Sequence, residues 1–233
     1  MKIPIKGVIV SNDEKWIYEF FDMEATTPKD VNEILDKANG EQLEVVVNSP
    51  GGDVYSGSEI YTALMDYKGP VNVKIVGIAA SAASVIAMSG GVVKISPTAQ
   101  IMMHNVHSIK QGDYRDFEHE SEVLKNYNNS IANAYMLKSG LSREELLELM
   151  DNETWLSAQQ AKEYGFVDEV MFDSGNKLAA SVNAGSNFML PQNVIDKIRN
   201  YAKELKEQDE EENNDLDLYK ARLNYLKLLR SEK

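Results

Sequence analysis

The chain has 233 residues, 43% of them hydrophobic, enough for one ordinary globular domain plus an extension. It contains no cysteine, which excludes a disulfide framework and a thiolate metal site and fits a reducing compartment. A formal net charge of −13 disfavours a phosphate backbone as ligand, no apolar run approaches the roughly 20 residues of a membrane span, and the first ten residues do not read as a signal peptide. Neither nucleic acid nor a membrane is an expected partner, and the expected location is the cytoplasm.

Ile3 to Val10 alternates weakly and reads as a strand. Asn12-Asp13 is a turn signal and Trp16 to Phe21 reads as a second strand, so a hairpin is expected to open the chain. Thr27 and Pro28 have the chemistry of a helix start, with the threonine as N-cap and the proline at the first helical position. Val31, Ile34 and Leu35 give that helix an apolar face, and Gly40 stops it. Leu43 to Val47 is a short buried strand. Asn48 to Gly57, NSPGGDVYSG, follows it directly; paired glycines there let the backbone turn sharply and approach a bound group. The next helix places Ile60, Leu64 and Met65 inward and ends at Gly69-Pro70. Val71 to Ile78 is again a strand, so the pattern is β-α-β-α, which predicts a parallel sheet with crossover helices.

Gly77 to Gly90, GIAASAASVIAMSG, then runs from strand through a tight turn into a small-residue helix. Such a turn aims one side chain outward, and the helix behind it offers backbone N–H groups to a developing oxyanion. Of Ser81, Ser84 and Ser89, only Ser81 sits at the turn, which makes it the candidate nucleophile. Val92 to Ile95 and Gln100 to Met103 are strands, and His104 lies at the end of the second. A polar loop leads to a long helix from Tyr114 to Lys138, with Phe117, Leu124, Tyr127, Ile131 and Tyr135 as its apolar stripe. Gly140 ends it. Ser142 and Glu145 form a capping box for a short helix to Met150, Ser157 caps the helix Ala158 to Tyr164, and Val167 to Phe172 is the last strand.

Asp173 to Asn187 is rich in Ser, Gly and Asn and reads as a linker. Two amphipathic helices are expected beyond it, from Pro191 and from Leu216 to Leu229. They are separated by the run Asp209 to Asp217, which holds six acids and no base. They fit either docking on a partner or subunit, or a solvated tail. The expected organisation is a domain over residues 1–172, a linker over 173–190 and an acidic helical tail over 191–233.

Acyl transfer by serine needs a nucleophile, a base and oxyanion donors. Ser81 and His104 lie at two strand ends, which a parallel sheet can bring to one edge. Gly52, after a third strand end, and Ala82, after the nucleophile, can supply the oxyanion N–H groups. His104 and His107 make H-x-x-H, but on a non-helical segment that spacing does not put two ligands on one face, so no metal site is expected. His119 falls on the charged side of the long helix. No cofactor is expected.

Four blocks in order carry a resemblance: NSPGGDVYSG, GIAASAASVIAMSG, IMMHN and TWLSAQQAKEYGFVDEV. Together, over about Ile3 to Phe172, they resemble the proteolytic subunit of the Clp protease, and more closely its phage- or prophage-encoded relatives that act in head maturation. The resemblance implies an α/β, ClpP/crotonase-like fold of stacked β-β-α units, with a long handle helix and a helical C-terminal extension. It implies a serine endopeptidase with Ser81 as nucleophile, His104 as base, and Gly52 and Ala82 as the oxyanion hole. It implies protein or peptide substrates and a ring-forming homo-oligomer that meets a second ring through the handle helix.

Three departures qualify it. The family's catalytic aspartate position holds Glu153, with Asp151 two residues earlier as the alternative. The chain begins almost directly in its first strand, which argues against a Clp-type ATPase partner. The acidic tail fits a phage scaffold or capsid protein as partner. The reading is thus an ATP-independent prohead protease. The alternatives are a housekeeping peptidase working with an ATPase unfoldase and a catalytically inactive ring subunit; an acyl-CoA thioester enzyme is the more remote option.

Overall fold

The computed structural model describes residues 1–173. The linker and the two tail helices expected from the sequence lie outside these residues. Within them the fold is mixed α/β, with one eight-stranded sheet whose ladders are all parallel except one antiparallel pair, between Gln100–Met103 and Thr154–Ser157. Strands β1 (Lys2–Ile9), β3 (Leu43–Gly52) and β4 (Val71–Ala80) form its centre. Their inward residues, among them Ile3, Ile5, Val45, Val47, Val73 and Ile75, are fully buried. These residues alternate with more exposed ones along β1 and β4, the period of two that turns one face of the sheet to the core; only β3 is buried continuously, over Val45–Val47.

The expected opening hairpin is not formed. Lys15–Phe20 is a short helix, α1, and Ala25–Thr26 is strand β2, which pairs parallel to the end of β1 at Val8 and Ile9. The reason is topological. One side of β1 is taken along its length by β3, and the strand returning to its other side runs parallel, which demands a crossover rather than a two-residue turn. The aromatic and β-branched residues from Trp16 to Phe20 have strand propensity, but tertiary context overrides it. Helix α2 (Pro28–Ala38) starts as its sequence predicts. The Thr27 hydroxyl accepts from the Asp30 N–H, Asp30 answers by accepting from the Thr27 N–H, and Pro28 stands at the first position.

Helix α3 (Val54–Asp66) buries Ile60 and Leu64 as expected, but Met65 is half exposed. Helix α4 (Ala82–Ala87) is buried throughout, and β5 (Val92–Ile95) and β6 (Gln100–Met103) follow. The long helix α5 (Tyr114–Ser139) has 26 residues; of its expected stripe only Tyr135 is buried, joined near the C-terminal end by Ala132 and Ala134, while Leu124, Tyr127 and Ile131 are partly buried. At the other end Tyr114 and Phe117 are exposed. Helix α6 (Arg143–Asp151) opens on the predicted Ser142–Glu145 capping box. Strand β7 (Thr154–Ser157) and helix α7 (Ala158–Glu163) precede β8, which is only Glu169–Val170 rather than the six residues expected.

One irregularity positions the site. β1 and β3 break register between Lys6 and Val8, at Gly7, and β3 and β4 break between Val47 and Ser49. The break is stitched by side chains: Ser49 Oγ donates to the Gly7 carbonyl, and Asn48 Oδ1 accepts from the Ile78 N–H. A Cβ on Gly77 would lie 2.2 Å from that Asn48 oxygen. Before the break β4 pairs with β5, through Asn72–Ile75; after it β4 pairs with β6, through Ile78–Ala80. The carboxyl ends of β3, β4 and β6 therefore sit side by side, with β7 running antiparallel along β6.

Candidate active site

Ser81 follows the last residue of β4 with φ 53° and ψ −127°, a backbone state that non-glycine residues rarely adopt. Conformations of this kind cost on the order of 1–3 kcal/mol and persist where surrounding structure over-determines them. Here the neighbours do so. The Ser81 N–H donates to the Met102 carbonyl of β6, at 2.9 Å. The Ser81 carbonyl accepts from the Ser84 hydroxyl, at 2.6 Å, and that hydroxyl also shares a 2.6 Å bond with the buried Tyr135 hydroxyl of α5. Burial pushes the Tyr135 phenol up to about 12, so it stays neutral. Ser89 bonds back to the Ile86 carbonyl within its own helix end. Of the three serines, Ser84 and Ser89 are tied to backbone carbonyls and Ser81 faces the imidazole.

His104 Nε2 and Ser81 Oγ are 2.7 Å apart. Register accounts for the meeting. Ala80 pairs with Met102, so the residues that leave the two parallel strands emerge next to each other although 23 positions separate them. The same reasoning reaches Glu153. Met103 opposes Thr154 in the antiparallel β6–β7 ladder, and one further step puts Glu153 across from His104. Glu153 also has a left-handed backbone, φ 45°. Its carboxylate accepts from Trp155 Nε1 at 3.4 Å, while His104 Nδ1 is buried without a hydrogen-bond partner. Asp151 accepts instead from the amide of Asn105, at 2.6 Å. The alternative third carboxylate is thus engaged by the neighbour of the histidine rather than by the histidine.

Burial is the largest influence on His104 and pushes its pKa below the ordinary value near 6.5; His107 lowers it further, and Glu153 opposes both. The His104 and His107 rings meet edge to face with centroids 4.6 Å apart. The H-x-x-H spacing was visible in sequence, but this ring packing was not predictable from it. His119 is exposed, as expected.

The glycine pair lies against the nucleophile turn. Gly51 has φ +95°, and a Cβ there would stand 2.7 Å from Ser81 Cβ and 2.6 Å from the Ala80 carbonyl. Its N–H is given to Ser49 Oγ, at 3.1 Å. Gly52, with φ +149°, is packed against the backbone of Ile9. Ala82 is the first residue of α4, where N–H groups have no acceptor inside the helix. A cleft of about 430 Å³ opens beside Ala82, between α3 and α5, with apolar walls from Tyr61, Val85, Ile131 and Ala134. A serine hydroxyl within hydrogen-bond reach of an imidazole, with a glycine loop behind and an apolar cleft alongside, is an arrangement that can support acyl transfer.

The profile of the Clp protease family matches residues 31–174, which is more than half of the chain and includes every residue of the Ser81–His104–Glu153 arrangement. The chain belongs to the Clp protease family. Among curated members it is 32% identical over 141 residues to the ATP-dependent Clp protease proteolytic subunit of Deinococcus radiodurans, covering 59% of this chain and 69% of that one. It is 29% identical over 150 residues to proteolytic subunit 1 of Salinibacter ruber, covering 64% of each. The Bacteroides fragilis subunit is 33% identical over 134 residues, 57% of this chain and 65% of its own. The chain thus spans about two thirds of the length of these relatives. The family's fold agrees with the parallel α/β architecture described above. No helix among the described residues is long and apolar enough to cross a membrane.

Proposed function

We propose that this Clp-family chain is a serine endopeptidase acting through Ser81. The observation that carries the reading is the 2.7 Å contact between Ser81 Oγ and His104 Nε2 at the end of two parallel strands. Ser81 Oγ attacks the scissile carbonyl carbon while its proton passes to His104 Nε2. The N–H groups of Gly52 and Ala82 receive the charge that develops on the carbonyl oxygen. The C–N bond then breaks, and His104 returns the proton to the leaving amine. Water, giving a proton to His104, releases the acyl group from Ser81 as a carboxylic acid and restores the serine.

Glu153 is the orienting carboxylate in this proposal. It faces His104 by register, it acts electrostatically on the imidazole, and the unpartnered His104 Nδ1 is where a carboxylate oxygen is required. The alternative, Asp151, is already bonded to Asn105. Moving the Glu153 side chain from Trp155 to His104 completes the triad.

Protein or peptide chains are the substrates, and the protein works as a ring-forming homo-oligomer. The exposed Tyr114 and Phe117 on α5 support a role for that helix in joining rings. The narrower assignment, a phage-encoded prohead protease that cuts scaffold or capsid proteins without an ATPase, rests on the sequence resemblance and the acidic tail. The names of the curated relatives favour a second reading, a proteolytic subunit working with an ATPase.

Labelling with a fluorophosphonate, wild type beside Ser81→Ala and read by intact mass, tests the core of the proposal. One adduct on the wild type alone is expected. No adduct on the assembled wild-type protein would overturn it in favour of an inactive assembly subunit.

A further inference from the structure

Two cavities meet at Tyr55. The first is the apolar cleft that begins at Ala82, the residue after the nucleophile, and runs between α3 and α5. The second, of about 480 Å³, lies toward the amino terminus of α3 and is lined by Asp13, Glu14, Asp53 and Glu59. Tyr55 is the one residue that lines both. Its ring is braced from α5: it meets the Tyr127 ring edge to face with centroids 5.4 Å apart. Tyr55 itself is 64% exposed, so no packed core depends on it.

We propose that Tyr55 is a specificity-determining wall. It closes the apolar cleft against the acidic groove, so the wild-type site accepts an apolar side chain at the residue whose carbonyl Ser81 attacks. It also keeps long cationic side chains from reaching the carboxylates beyond. The physical basis is the cost of burying an ammonium or guanidinium in an apolar cleft without a counter-charge. With the wall removed, the charged end of a lysine or arginine passes through the apolar stretch and reaches Asp13, Glu14, Asp53 or Glu59. Its methylene stem stays against Val85 and Ile131, as long cationic side chains commonly do.

The proposal rests on the serine-peptidase reading, and one experiment separates the two. Wild type, Tyr55→Phe, Tyr55→Ala and Tyr55→Leu are each given a peptide library varied at the residue before the cut, with fluorophosphonate labelling of Ser81 measured in parallel. Wild type and Tyr55→Phe are expected to cut after apolar residues, since both keep the ring. Tyr55→Ala is expected to gain cleavage after lysine and arginine by about tenfold or more, a gain that Glu59→Gln added to it reduces. Tyr55→Leu reads the same wall with a more conservative change. An unchanged cleavage profile in a labelled Tyr55→Ala or Tyr55→Leu overturns the proposal. So does loss of all cleavage or labelling in both variants while the wild type labels, because Tyr55 would then be structural. Absence of labelling in the wild type itself would instead count against the serine-peptidase reading.

Discussion

At the residue scale, the proposed mechanism makes His104 the group whose protonation state decides the rate. A protonated imidazole cannot accept the Ser81 proton, so kcat/KM rises with pH through the His104 pKa. Because burial and His107 hold that pKa below about 6.5, the acid limb of the profile is expected below the ordinary histidine range. Glu153 is the opposing influence. Glu153→Gln should move the limb to still lower pH and reduce kcat by on the order of 10²–10⁴-fold, the scale of positioned acid–base catalysis. Asp151→Asn should change kcat by only a few-fold, its carboxylate being held by Asn105. Rate profiles of the two variants on one peptide substrate test the assignment; a larger loss in Asp151→Asn would reverse it.

At the element scale, the nucleophile turn is held from behind and from the side. From behind, the Ser84 hydroxyl joins the Ser81 carbonyl to the Tyr135 hydroxyl, which links α4 to α5 in a fully buried position. Ser84→Ala leaves the Tyr135 hydroxyl without that partner, so a loss of about 1–3 kcal/mol is expected in urea denaturation. A variant as stable as wild type would mean the bond contributes nothing. From the side, the β3 loop touches the turn at Gly51, where both the left-handed φ and backbone atoms within 3.0 Å exclude a Cβ. Gly51→Ala should lower stability by a few kcal/mol and slow Ser81 labelling, because the clash falls on Ser81 and Ala80 themselves. The same substitution at Gly40 meets no atom within 4 Å and carries only the backbone strain of φ +86°, which makes it the control.

At the scale of the whole molecule, the described domain carries a site on one edge and a 26-residue helix whose amino-terminal half is exposed. A second ring packed along that half would cover Tyr114 and Phe117. Replacing both with charged residues is expected to halve the assembled mass in sedimentation while leaving the fold intact by circular dichroism; an unchanged mass would remove α5 from the assembly interface. Protein degradation measured with and without an added Clp-type ATPase and ATP separates the two biological readings. Stimulation favours the proteolytic subunit of an ATP-dependent machine, and equal rates favour the independent protease.

Much of this was legible in the chain because its signals are local. The Thr27-Pro28 helix start and the Ser142–Glu145 box depend on near neighbours and formed as read; β3 and β4 formed where their apolar runs lie but continue past them, to Gly52 and Ala80. The serine and histidine were legible too, since each ends a recognisable strand. What the residues from Trp16 to Phe21 could not reveal is that β1 is met by parallel partners, which turned an expected strand into a helix. Nor could they reveal the register break at Gly7, Asn48 and Gly77, where β4 changes neighbours from β5 to β6. That change, a pairing between segments distant in sequence, brings His104 within 2.7 Å of Ser81. The sequence determined the elements and the reactive groups; pairing across the sheet decided which of those groups meet.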